Sequence, residues 1–263
     1  MPAIHRLGPA IALLTAFQVV QAVASASRSA RPEITVYAAA SLRDVLQQLA
    51  PACEEAVGAH LVFNFGASND LARQIEAGNK ADLFFSADEA WMDHVAQAGL
   101  ADAESRRSLL SNRLVVVGLK DDPLNIQSPQ DLLGPDVRRI SLANPEAVPA
   151  GKYAKAWLEK VGLWDRLRDR VLPGLDARAA LAAVESGGAQ VGVVYRTDAV
   201  LSKKVRVVYE VPEGEGPRIS YPVAAMRDRP RLEVARRIVA WLSGPAAEAA
   251  FERYGFMVQG RPH

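Results

Sequence analysis

Ile34-Thr35-Val36-Tyr37-Ala38-Ala39-Ala40-Ser41-Leu42 is an apolar run that ends in small residues and a serine. Leu61-Val62-Phe63-Asn64-Phe65-Gly66-Ala67-Ser68-Asn69-Asp70-Leu71 repeats the plan. Each reads as a strand that gives way at once to a helix. After the first, Leu42, Val45, Leu46, Leu49 and Cys53 recur at helical spacing on one face. A helix N-terminus has unpaired N–H groups and a partial positive charge, so it favours an anion. A serine there either caps its own helix or lends its hydroxyl to a ligand. Two such turns in one lobe predict an oxyanion held by neutral donors.

Working outward, the alternation continues. A strand is expected at Asp82–Ser86, with helices over Leu71–Ala77 and Asp88–Ala98, closed by Gly78 and Gly99. Such alternation predicts parallel β-α-β units. The apolar run Leu114–Gly118 reads as part of the crossover into a second lobe. That lobe repeats the design, with strands at Arg139–Ala143, Val191–Tyr195 and Val205–Val211 and helices at Gly151–Val161 and Ala177–Glu185. After the turn-rich Pro212–Pro217, Tyr221–Met226 returns to the first lobe, and Arg231–Leu242 and Pro245–Tyr254 close the chain as helices. The expected fold is α/β: two Rossmann-like lobes joined by crossing strands, with a ligand cleft between them. Lobe 1 is expected over 33–112 and 224–263, and lobe 2 over 113–223. Clefts at strand C-termini are where such sheets bind ligands.

The chain has 263 residues, enough for a sizeable core. A net charge of +1 implies no basic patch and disfavours nucleic acid as a partner. Residues 1–26 read as a secretory signal: His5 and Arg6, an apolar run from Ala10 to Phe17, then small residues. Both Ala22-Val23-Ala24 and Ala24-Ser25-Ala26 fit the cleavage pattern. The apolar part is too short to span a bilayer. Cys53 stands alone and offers no disulfide framework; a buried apolar role is expected for it. A soluble exported protein without disulfides suits a bacterial periplasm.

Two further helix starts share the character of the serine turns. Val148-Pro149-Ala150-Gly151 presets a helix with Pro149 and leaves Ala150 and Gly151 without bulk over their N–H groups. Gly174-Leu175-Asp176-Ala177 offers Asp176 as a cap and Ala177 as the first helical residue. Tyr195 ends its strand and can aim a phenol into the cleft. Taken singly, each has a structural reading: Ser41, Ser68 and Asp176 as caps, Pro149 as a helix initiator, Tyr195 as a strand-end aromatic.

Together with Leu71–Gly78, Ala81–Phe84, Ser86-Ala87-Asp88, Trp91-Met92-Asp93, Tyr153-Ala154-Lys155, Gly192–Tyr195, Asp198-Ala199-Val200 and Arg253–Phe256, these segments form an ordered set. Over roughly residues 33 to 259 the chain resembles the periplasmic molybdate-binding proteins of ABC-type importers, which are type II periplasmic binding proteins. The resemblance implies a tetrahedral oxyanion, molybdate, held by the hydroxyls and backbone N–H groups of Ser41 and Ser68. The N–H groups of Ala150 and Ala177 and the phenol of Tyr195 complete the cage. It further implies a membrane permease as partner, a monomer, and no cofactor or direct metal-ion ligand. Two positions depart from the family pattern: Ala177 stands where a larger aliphatic residue is common, and Asn69 where Ser or Gly is.

Molybdate has only acceptor oxygens, so a cage of donors satisfies it without a salt bridge. Monohydrogen phosphate brings a proton that needs an acceptor, and leaving a buried polar group unpaired costs roughly 1–3 kcal/mol. Sulfate is proton-free, so its rejection has to rest on cage size, and tungstate is expected to bind. The alternatives are a receptor for another oxyanion such as sulfate or for a ferric complex, and a secreted serine hydrolase using Ser41. Iron sites recruit paired tyrosines, and Tyr195 has no adjacent tyrosine. A hydrolase needs a base, and neither His60 nor His94 sits in a motif that supplies one.

Overall fold

A computed structural model describes residues 31–78 and 80–259; the expected signal segment lies outside them. The first sheet has six strands, the second five. The first begins with β1 (Glu33–Ala39), a mostly buried, largely apolar strand with partners on both sides. A single 3-10 turn, Ala40–Leu42, leads into helix α1 (Arg43–Val57). Strand β2 (His60–Gly66) runs parallel to β1 and leads directly into α2 (Ser68–Glu76). Strand β3 (Leu83–Phe85) lies parallel on the other side of β1 and is followed by α3 (Glu89–Gln97).

Strand β4 (Arg107–Ser111) is one that the periodicity does not predict. Asn112 and Arg113 then carry the chain into β5 (Leu114–Leu119), the first strand of the second sheet. That sheet adds β6 (Ile140–Ala143), helix α4 (Pro149–Lys160), the short α5 (Trp164–Leu167) and β7 (Val171–Gly174). It is completed by α6 (Ala177–Glu185), β8 (Val191–Tyr195), α7 (Arg196–Leu201) and β9 (Val205–Glu210). Strand β10 (Tyr221–Ala225) returns to the first sheet, followed by α8 (Leu232–Leu242), α9 (Pro245–Arg253) and β11 (Met257–Val258).

The sheet orders are β11-β4-β10-β3-β1-β2 and β7-β6-β8-β5-β9. Parallel pairing holds for β1 with β2 and β3, and for β6 with β7 and β8. The strands nearest the two crossovers are antiparallel to their neighbours: β10 against β3 and β4, β5 against β8 and β9. Both sheets are therefore mixed, which the strand–helix alternation alone does not reveal. Ser111 donates its hydroxyl to the carbonyl of Ile219 at 2.7 Å, tying the outgoing crossover to the returning one. Cys53 is buried in α1, and burial pushes its thiol up to about 12, so it is an inert packing residue.

Candidate oxyanion-binding site

The C-terminal ends of the parallel strands of both sheets face one small cavity of about 10 Å³. Its lining includes Ser41, Ser68, Ala150, Ala177 and Tyr195, so all five expected positions meet there. Ala39, Ala40, Gly66, Ala67, Ala87, Val148, Pro149 and Asp176 make up the rest. The space is below the roughly 300–1,000 Å³ of organic-ligand pockets. No lysine, arginine or histidine lines it.

The local sequence explains how donors are aimed inward. Ser68 is the first residue of α2, and the residue before it, Ala67, is the extended N-cap. Ala150 and Ala177 hold the corresponding first-turn positions of α4 and α6. The first four N–H groups of a helix have no intrahelical partner, so these backbones point donors at the strand ends. Two glycines bring the helices close enough. A Cβ on Gly151 would sit 2.1 Å from the carbonyl oxygen of Ala143, the last residue of β6. One on Gly174 would sit 2.7 Å from the backbone nitrogen of Ala180 in α6. Asp176 caps α6, accepting from the N–H of Ala179 at 2.8 Å.

Neither serine caps its own helix. The Ser68 hydroxyl instead accepts from the N–H of Ala87 at 3.0 Å, a residue the sequence reading did not assign. The Ser41 hydroxyl lies 3.3 Å from the phenol oxygen of Tyr221 in β10. The Tyr195 phenol is fully buried and has no hydrogen-bond partner among the described residues. Burial above all, with nearby Tyr221 and acidic groups, holds its pKa far above the ordinary range, so it stays a protonated donor. A buried, unpaired hydroxyl is costly unless the site supplies an acceptor. An anion with several acceptor oxygens is the ligand this donor set can satisfy.

His60 pairs with Glu54 at 2.9 Å and His94 with Glu76 at 3.0 Å. Among the described residues no group of three His, Cys, Asp or Glu side chains could hold a metal ion. Asn69, the departure noted beside Ser68, is buried but does not line the cavity; its amide nitrogen donates to Asp70 at 2.7 Å.

Contacts between the two halves flank the cavity. On one side Trp91 of α3 donates its indole N–H to the carbonyl of Ala147 at 3.1 Å, and the Lys152 ammonium lies 5.0 Å from its ring centre. On the other, Arg178 in the first turn of α6 pairs with Asp44 in the first turn of α1. The same guanidinium lies 3.1 Å from the fully buried Asp198.

The family model of bacterial extracellular solute-binding proteins matches residues 34–257. The chain belongs to that family. Molybdate-binding protein ModA of Escherichia coli strain K12 is 41% identical to this solute-binding protein over 90% of the chain and 94% of its own length. The protein of that name from Haemophilus influenzae is 35% identical over 88% of the chain and 92% of its own. The solved periplasmic molybdate-binding protein of Azotobacter vinelandii superposes with a TM-score of 0.78, covering 88% of the chain and all of that structure at 24% identity. The solute-binding protein thus has the type II periplasmic binding-protein fold, two mixed sheets with flanking helices and a cavity between them.

Proposed function

We propose that this protein captures molybdate, and with it tungstate, outside the cytoplasm and delivers it to the permease of an ABC importer. The observation that carries the reading is the convergence of Ser41, Ser68, Ala150, Ala177 and Tyr195 on one cation-free cavity. The relatives from Escherichia coli and Haemophilus influenzae, both named molybdate-binding, support the choice of oxyanion. The two serine hydroxyls, the helix-start N–H groups and the Tyr195 phenol hold the anion by hydrogen bonds alone. No reaction is catalysed and no cofactor takes part.

The lobes we assign, 33–112 with 224–263 and 113–223, close on the ligand about the crossovers, with β10 straddling the second boundary. Each lobe contributes part of the donor set, so closure and capture are one event. Export by the N-terminal signal places the protein in the periplasm, where it acts as a monomer. Among the described residues no helix is long and apolar enough to cross a membrane. Thermal unfolding with added anions tests the reading. Molybdate at ~1,000 times its dissociation constant stabilises the native state by on the order of 4 kcal/mol. A melting shift with sulfate or phosphate and none with molybdate contradicts it.

A further inference from the structure

Behind Ser41 stands a buried chain of hydrogen bonds whose direction can be read. The N–H of Arg113 donates to Asn112 Oδ1 at 2.9 Å, which fixes the orientation of that amide. Asn112 Nδ2 then donates to Thr197 Oγ1 at 2.9 Å and to Tyr221 Oη at 3.1 Å. Both amide hydrogens are thereby used, and Nδ2 has no lone pair to offer in return. The phenol proton of Tyr221 has one recipient among its hydrogen-bonded neighbours, Ser41 Oγ at 3.3 Å. Ser41 therefore accepts from behind, and its own proton is left for the cavity.

Asn112, Tyr221 and Ser41 are all buried, so water does not compete for these bonds. Burial also keeps the Tyr221 phenol protonated, well above the ordinary tyrosine range. Ser68 reaches the same polarity by a backbone route, through the N–H of Ala87.

We propose that Tyr221 and Asn112 form a positioning relay that holds the Ser41 hydroxyl as a donor toward the bound anion, which makes Tyr221 a determinant of selectivity for proton-free over monohydrogen oxyanions. The inference rests on the anion-binding reading of the cavity. Without the relay the Ser41 hydroxyl is free to rotate and to present a lone pair, which suits the P–OH of monohydrogen phosphate. The relay also starts at Asn112, within the crossover between β4 and β5, so the hinge and the ligand share one hydrogen-bonded chain.

The test is calorimetric titration of the wild type, Tyr221→Phe, Ser41→Ala and the double variant with molybdate, sulfate and monohydrogen phosphate at mildly alkaline pH. The 3.3 Å contact is long for a hydroxyl pair, so a modest effect is expected. Tyr221→Phe should weaken molybdate binding about three- to tenfold, shift the phosphate-to-molybdate preference toward phosphate by a similar factor, and change nothing further in the Ser41→Ala background. An equal loss with and without Ser41, or an unchanged preference, overturns the relay. If Tyr221→Phe does not fold, Asn112→Ser takes its place in the same cycle. A wild type that binds sulfate and not molybdate removes the molybdate reading, while the cycle run on sulfate still decides the relay. Binding of none of the three anions overturns both.

Discussion

Ser41 and Ser68 carry the clearest expectation at the level of single residues. Both serines line the cavity and neither caps a helix, so replacing them removes donors to a charged ligand together with the contacts behind them, Ala87 N–H to Ser68 and Tyr221 to Ser41. A hydrogen bond to a charged group is worth about 1.5–3 kcal/mol, so each serine-to-alanine change should weaken molybdate binding roughly ten- to a hundredfold in calorimetric titration. Loss of ligand-free stability with unchanged affinity would instead make them structural. Tyr195→Phe separates the two effects further. The phenol is buried and its hydroxyl has no hydrogen-bond partner among the described residues, so its removal should leave ligand-free stability unchanged or raised by about 1 kcal/mol while weakening binding. A lower melting temperature with unchanged affinity contradicts this.

Ser41, Ser68, Ala150 and Ala177 were legible because helix starts have a local chemistry of small residues, serine and proline, and Tyr195 because it ends an apolar strand. Tyr221 and Asn112 were not. Tyr221 lies 180 positions from Ser41 in the chain, and Asn112 falls in a break between strands without any periodic signal. Ala87 did carry a signal, since Ser86-Ala87-Asp88 is another strand end before a helix.

Among the elements, α4 and α6 determine where the second half's donors lie. Gly151 lets α4 rest against the end of β6, and a Cβ there collides with the backbone carbonyl of Ala143 at 2.1 Å. A backbone atom cannot turn away as a flexible side chain can. Gly151→Ala should therefore destabilise the protein by about 1–3 kcal/mol in urea unfolding and displace the Ala150 N–H from the cavity. Wild-type stability and affinity in that variant would show that α4 has room to spare.

Most strands and helices were readable from their apolar runs, but β4, β7 and β11 and the short helices α5 and α7 were not. Strand β7 contains Pro173 and Gly174, two residue types disfavoured in strands. It pairs only with β6, and proline is tolerated on such an edge. Strand β4 is short and half polar, and β11 has two residues, too few for alternation to show. The antiparallel placement of β5 and β10 follows from the crossovers, a long-range property that no local pattern encodes.

At the scale of the whole molecule, Arg178 joins the two halves through Asp44 and leans on Asp198. Burial raises Asp198 from its ordinary 3.8 to about 7, with Arg178 pulling the other way. The folded protein therefore keeps a proton that the unfolded chain gives up. Its contribution to stability is full below the ordinary value and is lost as pH rises through about 7. Asp198→Asn, which cannot ionise, should flatten the decline in unfolding free energy between pH 4 and 7. Parallel pH profiles for wild type and variant would contradict this.

The central claim is that donors from both halves enclose a proton-free tetrahedral dianion. Calorimetric titration of the protein with molybdate, tungstate, sulfate and phosphate tests it most directly. Saturable binding of molybdate and tungstate at one site, with phosphate rejected, is the predicted result. Binding of phosphate or sulfate with no response to molybdate would contradict it.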